Sequence, residues 1–215
     1  MNSGVVRNFA ANSGGGLSLS GGNASLVDTR VGVLEGNVDA GNTTDGVGGG
    51  LSGNALTTVL RSEISYNEAG RGGGAAHVSG PSLRIEDTRI ALNRGGGDGG
   101  AVYAAADRFT MRRTAVRGNT AAGDGAEGGG VYLASEGLFE ITDSQIATNR
   151  AGGNGGGLYV NKGRLRLRDA EILNNTAGFQ TGFAGRGGGL YCGRGTLSAS
   201  GVTYAQNGPE DMFGC

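Results

Sequence analysis

Residues 155–175 read GGGLYVNKGRLRLRDAEILNN, a unit that recurs along most of the chain. The unit opens with three glycines and an apolar–aromatic pair, continues through alternating apolar and charged residues, and closes on Asn175. An apolar marker residue follows each glycine cluster: Leu17, Leu51, Ala75, Val102, Val131, Leu158 and Leu190. Successive markers are 24 to 34 residues apart. A recurring period of this size predicts stacked units that bury their faces against one another.

The interior of each unit has the period of a β-strand. Leu165 and Leu167 alternate with Arg166 and Arg168, which places the two pairs on opposite faces of an extended chain. No window has apolar residues at the spacing of an amphipathic helix, and glycine at this density destabilises helices. We therefore expect an all-β fold, a right-handed parallel β-helix (solenoid) of about seven coils, each with three short strands.

An asparagine closes each unit. Asparagine tolerates the left-handed backbone conformation that a sharp corner needs, and stacked asparagines can hydrogen-bond to one another as a ladder. The first unit closes on Asn37. We predict that a structural asparagine ladder is formed by the closing residues of the later units: Asn67, Asn93, Asn119, Asn149, Asn175 and Asn207.

The repeat predicts a single β-helix domain over residues 1–215. Residues 1–13 match the end of an incomplete first coil that closes on Asn12, and residues 208–215 form a C-terminal capping tail. The insert at residues 38–47 is expected to be a protruding loop. Because an uncovered first coil leaves strand edges open, we expect an upstream segment or a partner to cover the N-terminal coil.

The composition fits a thin solenoid core and argues against two kinds of partner. The chain has 48 glycines, no tryptophan and a formal net charge of −1. Its arginine-rich stretches, around Arg112 and Arg166, are interleaved with acidic residues, so no nucleic-acid partner is expected. No run approaches the roughly 18 consecutive apolar residues of a membrane span.

Four tyrosines follow the apolar markers and should face outward, because side chains alternate across a strand. Stacked in register, they would form an outer stripe: Tyr103, Tyr132, Tyr159 and Tyr191. Such a stripe could bind a sugar or another flat surface. The alternative is that the rings stack only on one another, which also stabilises a sheet.

The loops offer two further candidate sites. Phe179 and Phe183, in the longest loop, could form a contact site or fold back onto the rod. No cofactor is expected, but acidic residues in the other loops leave calcium binding as an alternative. These residues are Asp45, Asp98, Asp124 and Glu127. The single histidine, His77, lies two residues after the marker Ala75, where a packing role is expected and a metal is not.

The two cysteines predict a cross-link at the C-terminal end. Cys192 occupies an inward position in the final coil and Cys215 ends the sequence. A disulfide between them would hold the tail over the open end and would indicate an oxidising compartment. The alternative is two unrelated thiols, with Cys192 buried.

The glycine–tyrosine units resemble a known class of repeat. The motifs GGAVY (99–103), GGGVY (128–132) and GGGLY (155–159, 187–191), each followed by a closing asparagine, are similar to the GGA(I/L)…FxxN repeats of polymorphic outer-membrane proteins. They also resemble bacterial right-handed parallel β-helix proteins with a pectin-lyase-like fold. The likeness is closest over residues 97–207, although only Phe9 supplies the phenylalanine of the FxxN pattern. The resemblance implies a secreted or cell-surface module, often a passenger or repeat region of an adhesin-like protein.

Three functions are consistent with the sequence. The first is a non-catalytic structural or binding module whose partner is a carbohydrate or another protein surface. The second is a polysaccharide lyase or hydrolase acting on acidic glycans, because Asp87, Asp143 and Asp169 share one repeat position with Arg113. The third is an ice-binding protein, which needs a regular threonine face. The best threonine column starts at Thr88 and Thr114, but other residues continue it: Ser144, Ala170 and Val202.

Overall fold

A computed structural model of the chain describes residues 3–32, 34–35, 38–180 and 184–215. Within these ranges every regular element is a β-strand. Four parallel sheets of seven or eight strands wind around one core, so the protein is a parallel β-solenoid of about eight turns. The all-β solenoid predicted from the repeat is therefore confirmed, and its right hand stays a prediction.

Each coil contributes one strand to each sheet, and we name the sheets in coil order. The tyrosine sheet follows the glycines and contains Leu17–Leu19, Leu51–Gly53, Ala76–Val78, Val102–Ala104, Val131–Leu133, Leu158–Val160, Leu190–Cys192 and Met212–Phe213. The long sheet comes next and contains Asn23–Val27, Leu56–Leu60, Ser82–Glu86, Arg108–Arg112, Leu138–Thr142, Arg164–Arg168 and Thr196–Ser200.

Two further sheets complete the coil. The third sheet contains Ser3–Val5, Thr29–Val31, Glu63–Ser65, Arg89–Ala91, Ala115–Arg117, Gln145–Ala147, Glu171–Leu173 and Thr203–Ala205. The fourth sheet contains Phe9–Ala10, Thr43–Thr44, Glu68–Ala69, Arg94–Gly95, Thr120–Ala121, Arg150–Ala151 and Thr176–Ala177. A separate antiparallel pair joins Leu34–Glu35 and Val38–Asp39. The fourth sheet brings the number of strands per coil to four where three were expected, because the two residues after each asparagine also pair.

The core is filled by the inward residues of the alternating strands. Leu165 and Leu167 are at most 2% exposed, whereas Arg164, Arg166 and Arg168 of the same strand are exposed. Equivalent positions in neighbouring coils carry Phe109 and Phe139, both fully buried. Like residues lie over like residues because every strand pairs in register with its equivalent one coil away.

The asparagine ladder is continuous and has one direction. In each step, Oδ1 of one asparagine accepts the backbone N–H and the side-chain amide of the asparagine one coil earlier, at 2.8 to 3.1 Å. The ladder contains Asn8, Asn42, Asn67, Asn93, Asn119, Asn149, Asn175 and Asn207. From Asn42 to Asn207 these side chains are buried, so the ladder satisfies amide groups that would be costly to bury alone.

The structure corrects the expected register of the first coils. Asn8 occupies the ladder position assigned to Asn12, and Asn42 is the first buried member of the ladder. Asn37 lies outside the described residues. The segment expected to protrude at residues 38–47 includes Thr43–Thr44, a strand of the fourth sheet. The inserted residues therefore precede Asn42. The number of residues after the glycine cluster does not show where within the coil an insertion lies.

The predicted repeat position of His77 was also wrong by one residue. Ala76, not Ala75, pairs with Val102, so His77 is level with Tyr103 and belongs to the tyrosine column. The coil containing His77 has an additional small residue after its glycines, which the marker pattern did not resolve.

A second buried ladder uses hydroxyl groups. The hydroxyls of Ser62, Thr88, Thr114 and Ser144 each accept a backbone N–H from the preceding coil, at 3.2 to 3.4 Å. Each also donates to the carbonyl two residues before it, at 2.7 to 2.9 Å. These side chains are at most 7% exposed. The threonine column considered for ice binding is therefore directed inward, because its hydroxyls serve backbone groups.

Candidate functional site

The four predicted tyrosines form the centre of a column of six stacked rings. The order along the rod is His77, Tyr103, Tyr132, Tyr159, Tyr191 and Phe213. Neighbouring ring centroids are 4.5 to 5.4 Å apart, and the planes differ by 5° to 16°. This spacing follows from the distance of about 4.8 Å between paired strands. The rings lie on the outer face of the tyrosine sheet, outside the aliphatic core.

Ring stacking decides which surfaces of the column a ligand could reach. Tyr132 and Tyr159 are only 7% and 8% exposed, and each has an aromatic ring on both faces. Flat binding of a sugar on these two rings would require the column to separate. At one end the Arg186 guanidinium lies 4.5 Å from the centroid of Phe213, and at the other end His77 is level with Ser52. The structure thus has the stacked arrangement that was the alternative to a sugar-binding stripe.

A polar border follows the column on the side of the glycines. Asp98 Oδ1 accepts the backbone N–H of Glu127 at 2.9 Å, and Glu127 Oε1 accepts the side-chain amide of Asn154 at 3.0 Å. Asn154 Oδ1 in turn accepts the backbone N–H of Arg186 at 2.9 Å. The pKa of Tyr159 is raised, first by desolvation and then by the nearby Glu127 carboxylate. The border therefore connects successive coils through hydrogen bonds among its own residues.

Burial raises the pKa values of the two carboxyl groups in this border. Desolvation raises the pKa of Asp98, and the hydrogen bond from Glu127 only partly opposes the shift. The pKa of Glu127 is raised by desolvation first and by the negative charge of Asp98 as a smaller effect. The pKa of Tyr132 is raised by the same causes in the same order. Two carboxylates one coil apart in a half-buried strip thus bind protons more tightly than exposed acids do.

The longest loop places Phe179 against the rod. The Arg150 guanidinium lies 4.4 Å from the centroid of the Phe179 ring, and the Phe179 backbone N–H donates to the Ala151 carbonyl at 3.3 Å. The adjacent Gln180 amide donates to the Ala122 carbonyl. Phe179 is thus folded back rather than fully exposed, and Phe183 lies outside the described residues.

The acidic column considered for catalysis is the corner between the long sheet and the third sheet. Its residues have φ of 46° to 52°, and they are Asp28, Arg61, Asp87, Arg113, Asp143 and Asp169. Arg61 pairs with Asp28 and Arg113 with Asp87, each through two nitrogen–oxygen contacts of 2.6 to 3.0 Å. The hydrogen bond from Arg113 keeps the pKa of the Asp87 carboxyl below its usual value; desolvation opposes this shift, and the charge of Arg113 adds a smaller lowering.

Two open grooves run beside this corner. One, of about 590 Å³, lies along the Asp28–Arg61 and Asp87–Arg113 pairs. The other, of about 450 Å³, is lined by Arg113, Asp143, Asp169 and Glu171. Arg112, outside the second groove, contacts Asp143 at 3.5 Å, and within the groove the Gln145 amide donates to Glu171 at 2.5 Å. The structure therefore brings Asp143 and Asp169 of the predicted set together beside Arg113, while Asp87 is held by Arg113.

The outer face of the long sheet is basic, which the sequence analysis did not single out. Its strand Arg164–Arg168 directs three arginines outward. Lys162 precedes this strand, and the backbone N–H of Arg194 donates to the Asn161 carbonyl at 2.9 Å, which places Arg194 one coil from Lys162.

The alternating sequence of Arg164–Arg168 already indicated this basic face, because residues separated by two positions in a strand share a face. It was missed because Asp143 and Asp169, which interrupt the basic stretches in the sequence, belong to the corner. Of the acids in the described strands of the long sheet, only Glu86 and Glu140 share the face, where each contacts an arginine.

Cys192 and Cys215 form a disulfide, with their Cα atoms 5.2 Å apart. The tail beside it adds Met212–Phe213 to the tyrosine sheet.

No group of three or more histidine, cysteine or acidic side chains is arranged to hold a metal within the described residues. Among the same residues, no helix has the length and apolarity to cross a membrane.

Comparison of the chain with protein-family models, curated proteins and solved structures gave no match.

Proposed function

We propose that this chain is a non-catalytic structural and binding module of a secreted or cell-surface protein, adhesin-like in character. It acts without a cofactor, and its partner is a carbohydrate or another protein surface. The single observation that carries the proposal is the continuous asparagine ladder from Asn8 to Asn207. A rod held by buried ladders presents regular outer faces to a partner, as stacked-repeat proteins do.

The aromatic and acidic side chains that could bind or react with a substrate support a non-catalytic function, because they are engaged in structural contacts. The tyrosine faces stack on one another, and the carboxylates of Asp28 and Asp87 accept bidentate bonds from arginines. The carboxylates of Asp98 and Glu127, considered for calcium, accept hydrogen bonds from the next coil.

The resemblance to polymorphic outer-membrane protein repeats, and to pectin-lyase-like β-helix proteins, supports a surface location. The parallel solenoid is the architecture that this resemblance implies. A disulfide in a chain with only two cysteines is a second support, since disulfides persist mainly in oxidising compartments.

Binding and catalysis can be tested on the same preparation. The proposal expects binding to at least one member of a glycan array or to an extracellular-matrix protein. It also expects no cleavage of uronate polymers, measured as new ultraviolet absorbance or reducing ends. Turnover of a polymer, or failure to bind any member of either set, would contradict it.

A polysaccharide lyase or hydrolase is the second candidate, and one observation favours it. Asp143 and Asp169 lie one coil apart in a groove that also contains Arg113. Paired-strand spacing puts their backbones about 4.8 Å apart, which is compatible with two cooperating carboxylates. Activity that is lost in both Asp143→Asn and Asp169→Asn, but retained in Asp124→Asn, would establish the enzyme in place of the module.

A further inference from the structure

Five cations lie together on one end of the long sheet, and we call this surface the basic strip: Lys162, Arg164, Arg166, Arg168 and Arg194. The three arginines of the central strand are separated by two residues each, so their Cα atoms are about 6.6 Å apart along the strand. Arg194 lies one coil from Lys162, about 4.8 Å away across the sheet. The cations are therefore spaced in two directions over a nearly flat face.

Ion pairing leaves most of the positive charge of the strip available. Lys162 contacts Glu136 at 3.5 Å, and Arg166 contacts Glu140 at 3.5 Å. Arg164, Arg168 and Arg194 form no ion pair with any described residue. Five cations and two carboxylates give the strip a net charge of +3, while the whole chain has −1. Positive charge is thus concentrated on this face.

The neighbouring coil adds hydrogen-bond donors to the strip. Thr196, Ser198 and Ser200 pair in register with Arg164, Arg166 and Arg168, and all three are exposed. Two shallow depressions, of about 290 and 360 Å³, lie between these hydroxyls and the arginines. A ligand there would meet guanidinium groups on one side and hydroxyls on the other, and each depression is also lined by one of the two paired carboxylates, Glu140 or Glu136.

We propose that the basic strip binds a linear sulfated polysaccharide. Guanidinium groups bind tetrahedral and planar oxyanions through paired N–H donors, and sulfate groups are ionised at every physiological pH. Several cations spaced over one flat face favour a polymer carrying repeated charges over a single small anion. This inference rests on the proposed binding function and assigns it a surface and a ligand class.

Single-stranded nucleic acid fits the strip less well. Proteins that bind it combine a basic groove with aromatic rings on which bases stack. The outward positions of the strands Leu138–Thr142, Arg164–Arg168 and Thr196–Ser200 carry no aromatic side chain. The aromatic column lies on a different sheet and is closed by its own stacking.

The test uses the full chain and dextran sulfate as the probe. The strip variant Arg164→Thr/Arg166→Ser/Arg168→Ser introduces the residues that the next coil has at these positions, so its fold is expected to persist. A control variant, Arg30→Ser/Arg71→Ser/Arg117→Ser, removes the same charge from exposed arginines outside the long sheet. Circular dichroism and thermal unfolding establish that both variants fold.

The wild-type chain should bind dextran sulfate and not neutral dextran, with an affinity that falls as salt is added. The strip variant should bind at least about tenfold more weakly, with a salt dependence reduced by about one unit per removed cation, and the control should change less than about twofold. Equal loss in both variants, or wild-type affinity in the strip variant, would overturn the assignment of the surface.

Comparison polymers test the ligand class. Polygalacturonate or single-stranded DNA of matched length, bound as tightly as dextran sulfate, would overturn the choice of a sulfated polymer. Array binding that survives in the strip variant would leave the proposed function intact and remove only this inference. Absence of wild-type binding to dextran sulfate and to every array member would remove both.

Discussion

Asp211 closes the asparagine ladder by accepting two hydrogen bonds from Asn207. Its Oδ1 lies 3.2 Å from the backbone nitrogen of Asn207 and 2.7 Å from Nδ2. This is the contact that an asparagine one coil later would provide. A carboxylate can accept these bonds but cannot donate to a further coil, so the ladder ends at Asp211.

Replacing Asp211 should therefore destabilise the protein. In Asp211→Ala the donors of Asn207, which is 8% exposed, lose their acceptor. We expect a loss of about 1–3 kcal/mol in the free energy of unfolding, measured by urea denaturation. Asp124→Ala removes the same charge from an exposed loop residue and should change stability by less than about 0.5 kcal/mol. Equal effects in the two variants would show that Asp211 does not cap the ladder.

An asparagine in the middle of the ladder should matter more than one at its open end. Asn119 receives both donors of Asn93 and donates to the Ile90 and Arg117 carbonyls and to Asn149. Asn119→Ala should cost about 3–5 kcal/mol, because several buried partners are left unpaired.

The matched control for Asn119 is Asn8→Ala, at the exposed first position of the same ladder. We expect it to cost less than about 1 kcal/mol in the same urea experiment. Similar costs at the two positions would mean that burial of the ladder has no energetic role.

The aromatic column can be extended by one ring. Ser52 pairs in register with His77, where a tyrosine would lie on the free side of the imidazole. Ser52→Tyr should stabilise the fold by about 0.5–1.5 kcal/mol through stacking. Ser52→Val supplies a side chain that favours strands without a ring, and differential scanning calorimetry compares the two. The stacking argument fails if valine raises the melting temperature as much as tyrosine does.

The raised pKa of Asp98 predicts a pH-dependent effect of Asp98→Asn. The fold favours the protonated carboxyl, so wild-type stability declines as pH rises from the unfolded pKa of about 4 through the higher folded value. Asp98→Asn keeps an acceptor oxygen, as Asn154 does two positions along the border, and has no charge to bury. It should therefore unfold at a higher temperature than wild type near pH 7, with the difference disappearing below about pH 4.

The control for this titration is Asp124→Asn, which neutralises an exposed acid in a loop. Its stability near pH 7 should stay within about 0.5 kcal/mol of the wild-type value, as for other substitutions of exposed residues. If Asp98→Asn is destabilising near neutral pH, the hydrogen bond to Glu127 outweighs the desolvation of the carboxylate.

The disulfide should contribute about 3 kcal/mol, because it closes a loop of 23 residues. Cys215→Ser removes the cross-link without placing a hydroxyl at the buried Cys192 position. Urea midpoints of the wild-type protein should fall on reduction to that of Cys215→Ser, whereas the variant should not respond to reductant. A response of the variant to reductant would indicate that another process is being measured.

Periodicity predicted the solenoid and most of the ladder because both depend on residues that recur at one position. The regular coils from Val102 onward place each asparagine 17 or 18 residues after its marker, and the structure stacks those asparagines directly. The first coils were misaligned because an insertion before Asn42 and the additional Ala75 shift the count.

Other features could not be read from the repeat because they join unlike residues. Asp211 replaces an asparagine by a carboxylate, which no search for recurring asparagines would find. Serine and threonine are interchangeable as acceptors in the hydroxyl ladder, so Thr114 and Ser144 differ in sequence while accepting the same backbone hydrogen bond, and the ladder stops where Ala170 follows. The basic strip depends on which charges share a face, and adjacent residues such as Arg168 and Asp169 belong to different faces.

All hydrogen bonds of the asparagine ladder point in the same direction, so the two ends of the ladder differ chemically. Asn8 offers a lone-pair oxygen at the leading tip, and Asp211 places an anionic oxygen at the trailing tip. A ladder continued past Asp211 would place one acceptor oxygen against another with no proton between them, which is unfavourable. The carboxylate therefore disfavours the addition of a further coil at this end, where stacked strands would otherwise leave an open edge.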